Sequence, residues 1–154
     1  MIEVYGGSMK ITSPAFNDND FIPVKYTCEG DDINPQLDFE MVPNKAKSLV
    51  LIVEDPDAPN GLWTHWILYD IPLDLRTIKE NSAPGKQGMN TSNQMSYQGP
   101  CPPGKKPHRY FFRLYALDAR IEIPKEVTRK QIDPIILKHV IETAEIMGYY
   151  SRKE

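Results

Sequence analysis

Residues with the chemistry to bind or convert a ligand are concentrated in three short segments of this chain. The first is Asp55-Pro-Asp-Ala-Pro59, the second is Trp63-Thr-His65, and the third is Gly99-Pro-Cys-Pro-Pro-Gly104 followed by His108-Arg-Tyr110. Two of the three histidines fall in these segments, together with two carboxylates. Imidazole, carboxylate and phenol groups can hydrogen-bond an anion, hold a metal ion or transfer a proton. Their spacing alone leaves binding and catalysis both open.

Each of these groups has hydrogen-bonding properties that a binding site could use. Asp55, hydrogen-bonded to one imidazole nitrogen, would fix the tautomer and leave the other nitrogen facing outward as an N–H donor. Tyr110 offers a hydroxyl donor, and backbone N–H groups around Gly99 can approach an oxyanion because glycine has no side chain. Pro100 limits the freedom of the backbone, which lowers the ordering cost of binding. Asp57 is as well suited to capping a turn as to contacting a ligand.

Two predicted strands carry the first two segments. The run from Ser48 to Glu54 is continuously apolar, which is typical of a strand buried on both faces, and the run from Trp63 to Tyr69 follows it. Along the second strand, His65 alternates with Trp63 and Ile67 on one face. A lone histidine on such a face is more often a hydrogen-bonded core residue than a ligand, so His65 alone does not identify a site.

A third strand, from His108 to Leu117, is rich in aromatic residues. An extended backbone places alternate side chains on one face. One face therefore carries His108, Tyr110, Phe112 and Leu114, and the other carries Arg109 and Arg113.

The remaining elements are less clear from the pattern. Weaker strands are predicted over Phe21 to Thr27 and Gln36 to Phe39, with a long loop from Lys79 to Tyr97. One helix is predicted from Thr128 to Met147, opened by a capping box and ended by Gly148 as its C-terminal cap. The 14 prolines are spread along the chain and favour short strands and turns over long helices.

Composition excludes several classes of protein. A chain of 154 residues with 40% hydrophobic residues can bury a core as one soluble domain. The net charge of −3 argues against general nucleic-acid binding, which requires an excess of lysine and arginine. The chain shows no apolar run long enough to form a transmembrane segment and no signal-peptide pattern, so we expect a cytoplasmic protein. We therefore expect Cys28 and Cys101 to be reduced, partly buried thiols.

The ordered set of motifs resembles the phosphatidylethanolamine-binding proteins, in the bacterial and archaeal branch called Raf kinase inhibitor-like. The matching motifs are Asp55-Pro-Asp-Ala-Pro59, Trp63-x-His65, Gly99-Pro with the following Pro-Pro-Gly, and His108-Arg-Tyr110. Similar flanking segments are Tyr26-Thr-Cys-Glu-Gly30, Asn34-Pro-x-Leu37 and the end from Ala144 to Arg152. Asn34-Pro35 stands where many relatives have Ser-Pro.

The resemblance implies a mainly β fold, an antiparallel β-sandwich with a C-terminal helix and few short helices. Together with strand alternation, it predicts that His65 and His108 converge on a single pocket, although 43 positions separate them. It implies a single domain over residues 9–154, after an N-terminal extension over residues 1–8. We also predict a cis peptide bond in the segment from Asp55 to Pro59, at Ala58-Pro59, because the chain must turn tightly where the strand ends.

The resemblance also implies a non-catalytic ligand-binding or regulatory protein with a pocket for phosphate or a phospholipid head group. Members are associated with inhibition of kinases or serine proteases, and no catalytic turnover defines the family. We expect no cofactor and no metal. Our candidate ligand-binding residues are Asp55, Asp57, His65, Gly99, Pro100, His108 and Tyr110.

Other functions remain open at this point. One alternative is a protein-interaction module whose pocket is vestigial. A second is a zinc-dependent hydrolase that uses the two histidines and a carboxylate, although the chain has no HExxH motif. A third is a Cys–His acyl-transfer enzyme built from Cys101 with His108 or His65. The sequence does not decide whether the protein is a monomer or a homodimer.

Overall fold

The computed structural model describes residues 7–152, and within that range it contains nine β-strands and one α-helix. Residues 1–6 of the proposed N-terminal extension lie outside the described residues, and the proposed domain boundary at residue 9 stays a prediction. A single 3₁₀ turn, Val24–Tyr26, precedes β3. The elements in chain order are β1 Lys10–Thr12, β2 Asp20–Phe21, β3 Leu37–Glu40, β4 Ser48–Asp55, β5 Trp63–Tyr69, β6 Thr77–Ile78, β7 Lys86–Gln87, β8 His108–Leu117, α1 Arg129–His139 and β9 Val140–Tyr150.

The strands form two sheets. The smaller sheet has the order β1-β3-β6, and the larger has the order β2-β9-β8-β4-β5-β7. All pairings are antiparallel except that of β2 with β9. The expected mainly β architecture, with one helix late in the chain, is confirmed.

Alternation along β4 explains how the layers pack. Leu49, Leu51 and Val53 point into a core shared with Leu37 and Phe39 of the smaller sheet. The intervening residues of β4 point to the other face, into a second core that includes α1. Every residue of β4 is buried, as expected for a strand covered on both faces. The smaller sheet and α1 therefore lie on opposite sides of the larger sheet.

The segments with candidate chemistry meet at one end of the inner strands of the larger sheet. Strand β4 ends at Asp55, which pairs with Trp63 at the start of β5. On the other side of β4, Glu54 pairs with Phe111, close to the start of β8 at His108. Antiparallel neighbours bring the end of one strand beside the start of the next, so residues distant in sequence lie together at this end of the sheet.

The predicted helix is correct at its start and wrong beyond His139. Thr128 Oγ1 accepts a hydrogen bond from the Gln131 N–H at 3.2 Å, and Gln131 Oε1 accepts one from the Thr128 N–H at 3.0 Å, which completes the expected capping box. The chain then continues as β9, which pairs with β8 along its length. Gly148 is therefore not a helix cap. It lies in β9 opposite Tyr110, where a Cβ would collide with Ile22.

The weaker predictions have mixed outcomes. The prediction over Gln36 to Phe39 corresponds to β3, within one residue at each end. The predicted strand from Phe21 to Thr27 is wrong for most of its length, because only its first residue belongs to β2 and the chain then forms the 3₁₀ turn. The predicted loop from Lys79 to Tyr97 is irregular apart from β7.

Two further predictions are wrong. The peptide bonds before Pro56 and Pro59 are trans. The turn after β4 is made instead by the Asp57 N–H, which donates to Asp55 Oδ1 at 2.7 Å. Cys28 and Cys101 form a disulfide rather than two thiols. Their loops lie side by side, since the Cys28 N–H donates to the Pro100 carbonyl at 3.1 Å.

Across residues 7–152, the structure has no helix with the length and apolar character needed to cross a bilayer.

Candidate functional site

A cleft of about 260 Å³ opens at the end of the larger sheet where β4 ends and β5 and β8 begin. We call it the histidine cleft, because His65 and His108 both line it. The ring of Tyr110 lies between them, with its centroid 5.2 Å from that of His65 and 6.5 Å from that of His108. The predicted convergence of the two histidines is confirmed. The full lining is Ala58, Pro59, Trp63, His65, Gln98, Gly99, Cys101, Pro103, His108 and Tyr110.

A β-bulge brings His65 into the histidine cleft. Val53 pairs with Trp66 and Glu54 pairs with Thr64, so His65 is the extra residue with no partner on β4. Simple alternation would place His65 on the same face as Ile67, which packs in the α1 core. A bulge turns the strand locally and redirects a side chain. Here it directs His65 to the face that carries Tyr110. The expected shared face of His65 and Ile67 is therefore wrong.

Asp55 lies behind His108 rather than in the lining of the cleft. Its carboxylate is only 3% exposed, and His108 Nδ1 lies 2.7 Å from Asp55 Oδ2. Because a carboxylate can only accept here, Nδ1 carries the hydrogen and donates. A neutral imidazole has a single N–H, so the remaining nitrogen, Nε2, is an acceptor. Our expectation of an outward N–H donor therefore holds only for the protonated ring.

His65 has the same arrangement with a different partner. Its Nδ1 lies 2.7 Å from the Gln98 carbonyl oxygen, which again requires the hydrogen on Nδ1 and leaves Nε2 as an acceptor. Burial lowers the pKa of His65 and outweighs the hydrogen bond to Gln98 and the charge of Asp55, both of which raise it. The ring is therefore neutral at neutral pH.

Tyr110 keeps its proton under all ordinary conditions. Burial raises the pKa of Tyr110 well above its usual range, and the neighbouring charge of Asp55 and a hydrogen bond to it raise the pKa further. Its side chain is the aromatic floor between the two imidazoles.

The backbone at Gly99 has a structural role that we did not expect. The Gly99 N–H donates to Asp32 Oδ1 at 2.7 Å, so this N–H is not free for an oxyanion. A Cβ at Gly99 would collide with the Tyr26 carbonyl oxygen and with Asp32 Oδ1. Glycine is needed because the loop packs closely against a neighbouring loop. Pro100 lies outside the lining, and its carbonyl accepts from Cys28.

Asp57 also lies outside the lining of the histidine cleft. Its two carboxylate oxygens accept from the Arg109 guanidinium at 2.8 and 2.9 Å, and Oδ2 also accepts from the Arg109 backbone N–H at 2.9 Å. The hydrogen bond to Arg109 lowers the pKa of Asp57 to about 2. Asp57 thus fastens the turn after β4 to the start of β8.

The apolar wall of the cleft was missing from our candidate set. Pro59, Trp63 and Pro103 form this wall, and the Trp63 indole N–H donates to Gln98 Oε1 at 3.3 Å. The position of Trp63 beside His65 in sequence was a usable signal. Pro103 had no comparable signal, because its place depends on how a distant loop folds back.

The two catalytic alternatives meet specific obstacles in this geometry. A zinc site needs a third ligand beside the two imidazoles, and Asp55 is engaged behind His108. Over residues 7–152, no group of three or more histidine, cysteine, aspartate and glutamate side chains is placed to hold a metal ion. For Cys–His acyl transfer, the Cys101 sulfur is bonded to Cys28 and is not a nucleophile in this state.

Comparisons with known proteins give a consistent result. The sequence model described as phosphatidylethanolamine-binding protein matches residues 12–151. A UPF0098 protein of Chlamydia pneumoniae is 47% identical over 150 residues, covering 94% of this chain and 99% of the relative. A UPF0098 protein of Methanothermobacter thermautotrophicus is 42% identical over 151 residues, with the same coverage of 94% and 99%.

Solved structures agree with the sequence relatives. The PEBP homolog CT736 from Chlamydia trachomatis superposes with a TM-score of 0.90 at 44% identity, covering 94% of this chain and 98% of that one. Escherichia coli YbcL, described as a member of the mammalian PEBP family, superposes with a TM-score of 0.88 at 27% identity, covering 96% and 100%. The chain belongs to the phosphatidylethanolamine-binding protein family.

Proposed function

We propose that this protein is a non-catalytic binding protein that holds a small anion, a phosphate or a phospholipid head group, in the histidine cleft. One observation carries the proposal. Two imidazoles from separate strands line one cleft, and the Nδ1 of each is hydrogen-bonded to another residue, Gln98 for His65 and Asp55 for His108. The negative charge of Asp55 does not repel a ligand directly, because it lies behind His108 and is hydrogen-bonded to it.

Binding of an anion in this cleft is strengthened by a proton on an imidazole. In their neutral forms both imidazoles present acceptors, which do not attract an anion. A protonated imidazole is a charged donor, and such a donor forms a shorter and stronger bond to an anion than a neutral one does. The ligand therefore binds together with a proton, which is taken up by the protein or carried by the ligand.

The apolar wall favours a ligand with an apolar group beside its charge. Pro59, Trp63 and Pro103 offer an apolar surface against which such a group can pack. A head group that continues into an acyl chain or another apolar substituent fits a cleft that has two histidines and an apolar wall. A regulatory partner, a kinase or a serine protease, enters the proposal only through the family resemblance.

The pH dependence follows from the low pKa of His65. A bound anion stabilises the imidazolium and raises that pKa, so over an interval of pH the complex holds a proton that the free protein does not. Affinity must then fall as pH rises through this interval. Calorimetric titration with a phosphodiester from about pH 5.5 to about pH 8 measures this, because a phosphodiester keeps its charge there whereas a monoester does not.

The variants are His65→Ala and His108→Ala, and the matched control is His139→Ala. His139 is also paired with a carboxylate, Asp118, at 2.9 Å, but lies far from the cleft at the end of α1. We expect each cleft variant to lose about tenfold to hundredfold in affinity, the value of a charged hydrogen bond, and the control to lose none. Affinity that is flat with pH and unchanged in both cleft variants would show that the anion binds elsewhere.

A further inference from the structure

The disulfide between Cys28 and Cys101 lies at the rim of the histidine cleft, and its two sulfurs have different surroundings. Cys101 is half-buried and lines the cleft, whereas Cys28 is exposed. The bond joins the loop after the 3₁₀ turn to the loop that precedes β8. An incoming reagent therefore reaches Cys28 more easily than Cys101.

A guanidinium group increases this difference. Arg152 Nη2 lies 2.7 Å from Cys101 Sγ and 4.0 Å from Cys28 Sγ. Arg152 follows the end of β9, where Tyr150 pairs with His108 and the Tyr150 hydroxyl donates to Glu29. A cation beside a sulfur stabilises the thiolate and lowers the pKa of the thiol. Negative charge is therefore better stabilised on Cys101 than on Cys28.

Two of the other charged groups act in the same direction. His108 lines the cleft together with Cys101, and its imidazolium form would stabilise a Cys101 thiolate. Glu29 follows Cys28 directly in sequence, and its carboxylate disfavours a thiolate on Cys28. Asp32 acts in the opposite direction, because its carboxylate accepts the N–H of Gly99, two residues before Cys101, and disfavours a thiolate there.

We propose that Cys28 and Cys101 form a thiol-exchange site, at which Cys28 accepts an incoming low-molecular-weight thiol and Cys101 leaves as the thiolate. The thiolate of the small molecule attacks Cys28 Sγ, and a new S–S bond forms between them. The Cys28–Cys101 bond breaks, and its electron pair stays on Cys101 Sγ. One disulfide replaces another, so no further oxidant or reductant takes part. The leaving sulfur is the one beside the Arg152 guanidinium, and exchange chemistry favours the leaving group whose thiolate is better stabilised.

The exchange changes the histidine cleft in two ways. It removes the covalent link between the two loops, and it places a negative charge on a residue that lines the cleft. An anion would bind more weakly to the exchanged form. This last consequence rests on the proposed function, whereas the exchange itself does not.

The direct test uses the unmodified chain. The protein is oxidised with excess glutathione disulfide and freed of that reagent. It is then treated without denaturant with reduced glutathione, with iodoacetamide present to trap any thiol released. Peptide mass mapping should find glutathione on Cys28 and the alkyl group on Cys101. Glutathione on Cys101, an equal mixture, or two free thiols after the oxidation step would overturn the proposal. None of these outcomes depends on whether an anion binds.

A matched pair of variants tests the role of Arg152. Cys28→Ser leaves only the Cys101 thiol, and Cys101→Ser leaves only the Cys28 thiol. The pH midpoint of alkylation by iodoacetamide should be below about 7.5 for Cys101 and about 8.5 or higher for Cys28. Adding Arg152→Gln should raise the first midpoint by about one pH unit and leave the second nearly unchanged.

The control for this change is Arg120→Gln. Arg120 is an exposed arginine beside Ser48, at the opposite end of β4 from the cleft. It should move neither midpoint. Equal midpoints for the two cysteines, or no effect of Arg152→Gln, would overturn the assignment of Cys101 as the leaving sulfur. Circular dichroism confirms that each variant is folded, and the mapping experiment on the unmodified chain requires no variant.

Discussion

Two adjacent carboxylates at the end of β4 have opposite uses. Glu54 is 1% exposed and faces the α1 side of the larger sheet, where it meets Arg113 at 3.3 Å and Arg129 at 2.9 Å. Asp55 is 3% exposed and faces the cleft side, where its partner is His108 at 2.7 Å. Arginine is always charged, so Glu54, Arg113 and Arg129 form a permanently charged cluster that connects α1 to the sheet.

Histidine makes the second group different. An imidazole, unlike a guanidinium, can release and take up a proton, and it keeps a second ring nitrogen when Nδ1 is bound to Asp55. The same kind of buried carboxylate therefore stabilises the fold on one face and prepares a binding site on the other. The partner residue, rather than the carboxylate, decides which of these results.

The largest effect on stability is expected from Glu54→Gln. Removing this charge leaves Arg113 and Arg129 without their shared partner, and breaking a buried pair in this way costs about 3–5 kcal/mol of the free energy of unfolding. Urea denaturation measures it. The control is Glu145→Gln, since Glu145 is also near Arg113, at 3.6 Å, but is 54% exposed. It should cost less than about 1 kcal/mol. Equal effects would contradict the structural role of Glu54.

Asp55→Asn should destabilise the protein less than Glu54→Gln. Asparagine has one oxygen, so only one of the two donors that Asp55 accepts from, His108 Nδ1 and the Asp57 N–H, keeps its acceptor, and the loss is that of one charge-assisted bond, about 2 kcal/mol. Affinity for the phosphodiester should fall at the same time, because His108 loses the carboxylate that stabilises its imidazolium. The same urea experiment and calorimetry measure both. A stability loss as large as that of Glu54→Gln, with affinity unchanged, would remove the distinction between the two faces.

His65 should make the ligand-free protein less stable in mild acid. Burial lowers the pKa of His65 in the folded state, so below the unfolded value of about 6.5 the unfolded chain binds more protons. Stability then falls as pH falls, by about 1 kcal/mol per pH unit, until the folded pKa is passed. Urea midpoints from about pH 7 to about pH 5 should show this slope in the wild type. The slope should be smaller in His65→Gln, and a persisting slope would mean that another group is responsible.

The smallest effect is expected at Asp57. Its ion pair with Arg109 is partly exposed, with side chains 30% and 46% accessible, so water and salt screen it. Arg109 lowers the pKa of Asp57 to about 2, so the stabilisation is full above the unfolded value and is lost as pH falls toward 2. Asp57→Asn should therefore cost less than about 1 kcal/mol at neutral pH. Its urea midpoint should approach that of the wild type near pH 2. A loss comparable to that of Asp55→Asn would contradict the peripheral role of this pair.

Much of the fold could be predicted from local patterns, and the errors share a cause. Strands β4, β5 and β8 were predicted within one residue, because continuous apolar or aromatic runs form buried strands. Strand β9 was missed because Val140, Ala144 and Met147 also recur at helical spacing, and pairing with β8 overrides that local preference. Such pairing depends on residues 23 to 42 positions away and leaves no local signal.

In the candidate site, too, local features could be predicted and contacts between distant segments could not. The residue types were sufficient to select His65, His108 and Tyr110, which all line the cleft. The direction of His65 depends on a bulge, the use of the Gly99 N–H depends on Asp32, and the disulfide depends on two loops that meet in space. Each of these is a contact between distant segments. The family resemblance supplied the convergence that alternation alone would have assigned wrongly.

Proton uptake on anion binding tests the central claim most directly. A phosphodiester is titrated by calorimetry at about pH 7 in several buffers with different ionisation enthalpies, and the dependence of the observed heat on the buffer gives the number of protons taken up. We predict an uptake approaching one proton in the wild type and in His139→Ala, and a clearly smaller uptake in His65→Ala. Binding with no proton uptake, or with the same uptake in His65→Ala, would contradict the account of the histidine cleft as a proton-coupled anion site.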